Sequence, residues 1–177
     1  MRDKVLYLTR TAVLLAILVV VQAIAQPLGQ LAIGSLVNLI LLIAVLTVGL
    51  WSGLAIAAIS PVLASFFNVG PPLVIVPFIM AANVIIVTVA HLIAGKHIGQ
   101  KAGKSVLISI TGLVAASTAK FLFLWVVLAN IALPLLPIDQ TMIPKFSVMF
   151  SWIQLLTALI GSTLAMVIVP VLKKVVK

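Results

Sequence analysis

Apolar positions along this chain neither alternate nor form one-sided helical stripes; they run on in long stretches, broken by short polar or Pro/Gly-rich segments. A bilayer core of about 30 Å takes roughly 20 apolar residues of helix, fewer where a helix is short or packed against others. By that measure the stretches 7-25, 35-49, 51-68, 73-94, 105-132 and 146-172 read as membrane spans. The second is the shortest. Only Gly49-Leu50-Trp51-Ser52-Gly53 separates the second from the third, but together they are too long for one crossing, and the two glycines favour a tight turn. Arg2 and Lys4 before the first run imitate a signal peptide. That run is long enough to span, and no small-residue cleavage site followed by a soluble mature domain appears, so it is kept as the first helix. The predicted fold is an all-α integral membrane protein, a compact bundle of six transmembrane helices forming one domain over 1-177. No fixed-period repeat or low-complexity tract interrupts it.

Composition agrees: 64% of residues are hydrophobic and 7% charged, where soluble domains carry roughly a quarter charged residues. The net charge of +9 would suggest nucleic acid in a soluble protein. Its distribution argues against that partner. Arg2, Lys4 and Arg10 precede or open the first run; Lys96, Lys101 and Lys104 lie between the fourth and fifth; Lys173, Lys174 and Lys177 close the chain. Four spans and then two place all three clusters on one side. Positive loops favour the cytoplasm, so both termini and the 95-104 loop are expected there. The opposite loops, 26-34, 69-72 and 133-145, hold Asp139 and Lys145 as their only charges and most of the prolines, which suits semi-rigid caps.

The chain has no cysteine, no His-Glu pair, no paired intramembrane carboxylates and no phosphate-binding glycine loop, so intramembrane hydrolysis and ATP use by this chain are not expected. His91 and His97 lack acidic or thiolate company, which leaves no metal site, and no cofactor is implied. Lys120 is the exception within the spans. A lysine there costs about 2.5-3.5 kcal/mol on insertion scales and calls for polar company, unless it snorkels to the interface. At about 1.5 Å per residue, Asn38, Asn83, Gln154 and Gln22 fall in the same middle-to-outer half of the bilayer. Together they describe a cup open on the proline-rich side; each amide alone is equally suited to joining helices. Trp125 and Trp152 read as interfacial belt or pocket wall, and Trp51 as an anchor at a cytoplasmic turn. Ser60-Pro61 should kink the third span. Ala12 and Ala16 form a small-xxx-small face on the first.

In these features the chain resembles the substrate-binding S components of energy-coupling factor (ECF) transporters, which take up vitamins in prokaryotes. The likeness covers nearly the whole length: six spans, cytoplasmic termini, the Ala12/Ala16 face, Gly34-Ser-Leu-Val-Asn38, Leu41-Leu42, Gly49, Gly53, Ala57, Ser60-Pro61, Ala64, the proline-rich 70-77, Asn83 and Lys120-Phe121. It implies a multi-pass protein of the prokaryotic cell (inner) membrane, with an outward pocket closed by loops 26-34, 69-72 and 133-145. It also implies docking through Ala12 and Ala16 onto a transmembrane coupling subunit that carries two cytoplasmic ATPases, the loaded component then toppling to release its vitamin inward. Lys120, Asn38, Asn83, Gln154, Trp125 and Trp152 are the expected substrate-binding residues. Small heterocyclic vitamins such as hydroxymethylpyrimidine or a pyridoxine-type vitamer, and pantothenate, are the leading ligands. A self-contained secondary carrier and a non-transporting membrane assembly subunit are the rivals; neither related halves nor intramembrane carboxylates favour the carrier.

Overall fold

The computed structural model describes residues 2-68 and 70-175; Val69 of the 69-72 loop and Lys177 of the terminal basic cluster lie outside the described residues. Every regular element among them is helical. The α-helices are α1 (Arg2–Ala25), α2 (Gly29–Ile43), α3 (Leu50–Phe66), α4 (Val76–Ala94), α5 (Gly103–Phe123), α6 (Ile143–Met149) and α7 (Trp152–Val175). π-helical segments extend α2 through Ala44–Val48 and α5 through Leu124–Ala132.

Four helical stretches are apolar and long enough to cross a membrane: Arg2–Val48, Val76–Ala94, Gly103–Leu135 and Gln140–Val175; Leu50–Phe66 is apolar but shorter. Length and composition thus support four to five long apolar helices, against the six spans expected from the apolar runs. The polarity of the bundle is that of a soluble protein turned inside out. Val13, Ile17, Val20, Leu107, Val114, Val167 and Val171 are exposed on the perimeter, while Asn38, Ser60, Asn83, Ser109, Ser117, Lys120, Gln154 and Thr157 are buried. Hydrocarbon tolerates the first set, and interhelical hydrogen bonds satisfy much of the second.

Several boundaries differ from the sequence reading. Most of the expected 26-34 loop is helix: only a 3₁₀ turn at Gln26–Leu28 and the left-handed Gly29 (φ 81°) separate α1 from α2. The reversal after the second run needs Gly49 alone (φ 136°), since α3 begins at once and Gly53 packs inside it against Val45 and Val87. The fourth helix starts at Val76 rather than 73, with Pro77 in its first turn, where a missing N–H costs nothing. The last run divides into α6 and α7, so its long helix starts at Trp152 instead of 146. α3 continues as helix through Pro61, which withholds a donor from the Ala57 carbonyl.

α7 packs along α2 and α5, α4 lies between α3 and α5, and α1 covers α2 and α3. Glycine permits the closest approach. A Cβ on Gly161 would come within 2.8 Å of the Ser35 carbonyl oxygen and 2.9 Å of the Leu39 nitrogen, so the α2 and α7 backbones nearly touch. One core cluster, with Leu41, Leu42, Ile56, Ile86 and Val87 at its centre, fills the space among α2, α3 and α4. A second, containing Ile75, Leu124, Leu128, Leu133, Phe146 and Phe150, lies under α6 and the 133-142 connection. In that connection the Asp139 carboxylate accepts from the Thr141 backbone N–H and hydroxyl, at 2.9 and 2.8 Å, which holds its pKa below the usual value. At the opposite end Lys173 donates to the carbonyls of Gly95 and Ile98, tying α7 to the 95-102 connection.

Candidate functional site

The site begins with the cost of placing a lysine inside a bundle. Lys120 lies four residues before the π-helical extension of α5 and is 4% exposed. Its ammonium does not reach an interface. Nζ donates to Asn38 Oδ1 of α2 at 2.7 Å and to Asn83 Oδ1 of α4 at 2.8 Å. Three helices thereby converge on one nitrogen, and the third N–H of an ammonium is left over. Asn38 is held from behind: its Nδ2 donates to Thr157 Oγ1 at 3.5 Å, and Thr157 donates to the Gln154 carbonyl at 3.0 Å. A further pair, Ser117 and Ser162 at 3.0 Å, joins α5 to α7.

Lys120 and Asn83 face a cavity of about 340 Å³, near the lower end of the usual range for small-molecule sites. Gln22, Gln30, Gln154 and Lys145 are its other long polar side chains; Gly70, Pro71 and Pro72 form one rim, and Met142, Phe146, Met149 and Phe150 the opposite wall. The cavity therefore opens at the end that carries the proline-rich connections, away from the basic 95-102 end. Gln154 is steadied by its Nε2 bond to the Met149 carbonyl at 3.1 Å. Gln22 Oε1 is buried and accepts no hydrogen bond, an arrangement that costs about 1-3 kcal/mol unless a ligand or water supplies a donor.

Of the six residues expected to bind substrate, the structure brings four together. Lys120, Asn83 and Gln154 line the cavity, while Asn38 stands behind Lys120 and touches it. Trp125 and Trp152 lie elsewhere, 44% and 59% exposed and absent from the wall. Depth is shared by every face of a helix, and both indoles project outward; Trp125 stacks on Phe121 with ring centroids 5.9 Å apart. The aromatic surface of the cavity comes instead from Phe146 of α6 and Phe150 at its C-terminal cap, stacked with ring centroids 6.2 Å apart. In the sequence both phenylalanines fall within the apolar run 146-172, and Lys145 lies in the loop before it. As the one cation among the proline-rich loops, Lys145 was the available signal.

Ala12 and Ala16 are exposed on α1, beside Val13, Ile17 and Val20. Among the described residues no group of His, Cys, Asp or Glu is placed to hold a metal.

A cavity with a few converging polar groups in an apolar bundle suits a binding protein, and the family model for the substrate-specific component of ECF transporters matches residues 6-173. The chain belongs to that family. It is thus a substrate-specific component of an uptake system, a class of transporter subunits that work with a membrane coupling subunit and ATPases and bind a small substrate. No curated protein and no solved structure matches the chain. Within this S component, the lysine cradle and the cavity above it are the features suited to holding that substrate.

Proposed function

We propose that this S component captures a small vitamin from outside the cell and hands it inward through a transmembrane coupling subunit driven by two cytoplasmic ATPases. The observation that carries the reading is the cavity of about 340 Å³ with Lys120 at its floor. That size favours hydroxymethylpyrimidine, a pyridoxine-type vitamer or pantothenate over cobalamin or folate. Phe146 and Phe150 replace Trp125 and Trp152 as the surface against which such a ligand would pack.

Six crossings accompany this reading. The 47-residue stretch Arg2–Val48 would extend about 70 Å as one helix, more than twice the bilayer core. It is interrupted at Gln26–Leu28, and α1 packs back on α2. Together with the basic clusters, this supports a reading in which the proline-rich loops and the cavity lie outside and both termini lie in the cytoplasm, in one membrane domain of a prokaryotic cell membrane. The exposed Ala12/Ala16 face of α1 is the docking surface for the coupling subunit, because small side chains let a partner helix approach closely.

Uptake of labelled candidate vitamins into cells expressing the chain with and without the coupling subunit and ATPases tests the proposal. Uptake of one of them only in the presence of the full set is the expected result. Uptake that persists without the ATPases would favour a self-contained carrier, and no uptake with intact co-purification would favour an assembly role.

A further inference from the structure

We infer that the ligand of this cavity is a small organic anion whose charged group is received by Lys120, a proposal that rests on the uptake reading above and narrows it. The charges of the chain leave Lys120 without an acidic partner. The chain has two acidic residues. Asp3 lies in the exposed first turn of α1, and Asp139 is in the exposed 136-142 connection with its carboxylate engaged by Thr141. Lys120 is bonded by two neutral amide oxygens and by no carboxylate.

A cation so enclosed, with one N–H left over and an adjoining cavity, is completed by an anion brought from outside. A second cation reinforces this. Lys145 lies on the cavity wall but is exposed, so it stands at the rim while Lys120 stands at the floor. Two positive groups along one largely apolar cavity, with no acidic residue on its wall, raise the local concentration of anions and oppose cations. Gln22 adds a second requirement: its unpartnered buried oxygen suits a hydroxyl or N–H elsewhere on the same ligand. The class is therefore a carboxylate or phosphate that also carries a hydrogen-bond donor.

The test uses the full-length protein in detergent or nanodiscs and pairs of probes that differ in charge: pantothenate with pantothenol, nicotinate with nicotinamide, and pyridoxal 5′-phosphate with pyridoxal. Affinities are measured by titration calorimetry and checked by thermal shift. We expect the acidic member of at least one pair to bind roughly tenfold or more tightly than its neutral partner. Lys120→Met should abolish that ratio. Lys145→Ala should slow association at low salt and approach the wild-type rate at high salt.

Neutral members that bind as tightly as their acids in all three pairs overturn the inference on wild-type protein alone, so the result does not depend on any variant folding. Failure of every acid at millimolar concentration overturns it too. ATPase-dependent uptake, measured separately, shows whether the transport reading survives such an outcome.

Discussion

Replacing Lys120 separates two energies that oppose each other at one atom. Insertion scales alone make Lys120→Met favourable by about 2.5-3.5 kcal/mol, because an intramembrane ammonium is removed. The structure adds a cost on the other side. Asn38 and Asn83 are 0% and 1% exposed, and their Oδ1 atoms accept from Nζ at 2.7 and 2.8 Å. Loss of the lysine leaves two buried acceptors unpaired, at about 1-3 kcal/mol each. The net change is therefore expected to run from about 1.5 kcal/mol of stabilisation to about 3.5 kcal/mol of destabilisation.

A single variant cannot separate these contributions, but a double-mutant cycle with Asn83→Leu can. Asn83→Leu alone deprives a charged donor of one acceptor, at about 1.5-3 kcal/mol. In the Lys120→Met background that bond is already gone, so the same change should cost far less. The expected coupling is about 1-3 kcal/mol, read from equilibrium unfolding of all four proteins in one detergent. Additivity within about 0.5 kcal/mol would show that the 2.8 Å bond contributes no stability, and the cradle argument would fail.

Gly161→Ala should destabilise the protein by about 1-3 kcal/mol despite the better helix propensity of alanine, because the new methyl meets α2 backbone at 2.8 and 2.9 Å. It should also weaken ligand binding by moving Asn38; an unchanged melting temperature and Kd would refute the close contact. Gln22→Leu should lower affinity for a donor-bearing ligand while leaving the preference for acids intact, as calorimetry on the same pairs would show. Ala12→Trp or Ala16→Trp should abolish co-purification with the coupling subunit and stop uptake at unchanged ligand affinity, and normal uptake would remove α1 from the docking surface. In this cysteine-free chain, Asp139→Cys should react with an impermeant maleimide on intact cells, and Gln100→Cys only after permeabilisation. Labelling at 100 from outside would invert the topology.

Position along the helices was legible in the sequence and direction around them was not. Apolar run length is a property of consecutive residues, so an all-helical architecture of long apolar helices and the shared level of Lys120, Asn38, Asn83 and Gln154 along the bundle could be read by counting. Runs hydrophobic on every side carry little record of which face turns inward, and the indoles of Trp125 and Trp152, at suitable depth, turn away from the cavity. The break that separates α6 from α7 was hidden for a related reason: Phe146 and Phe150 are as apolar in a cavity wall as in a lipid-facing helix. Likewise, the expense of burying Lys120 could be known from composition and position, whereas its partners could not. Asn38 lies 82 residues away and Asn83 lies 37. What unites them is the rotation and separation of α2, α4 and α5, set by contacts such as Gly161 against the α2 backbone, and those exist only once the helices have packed.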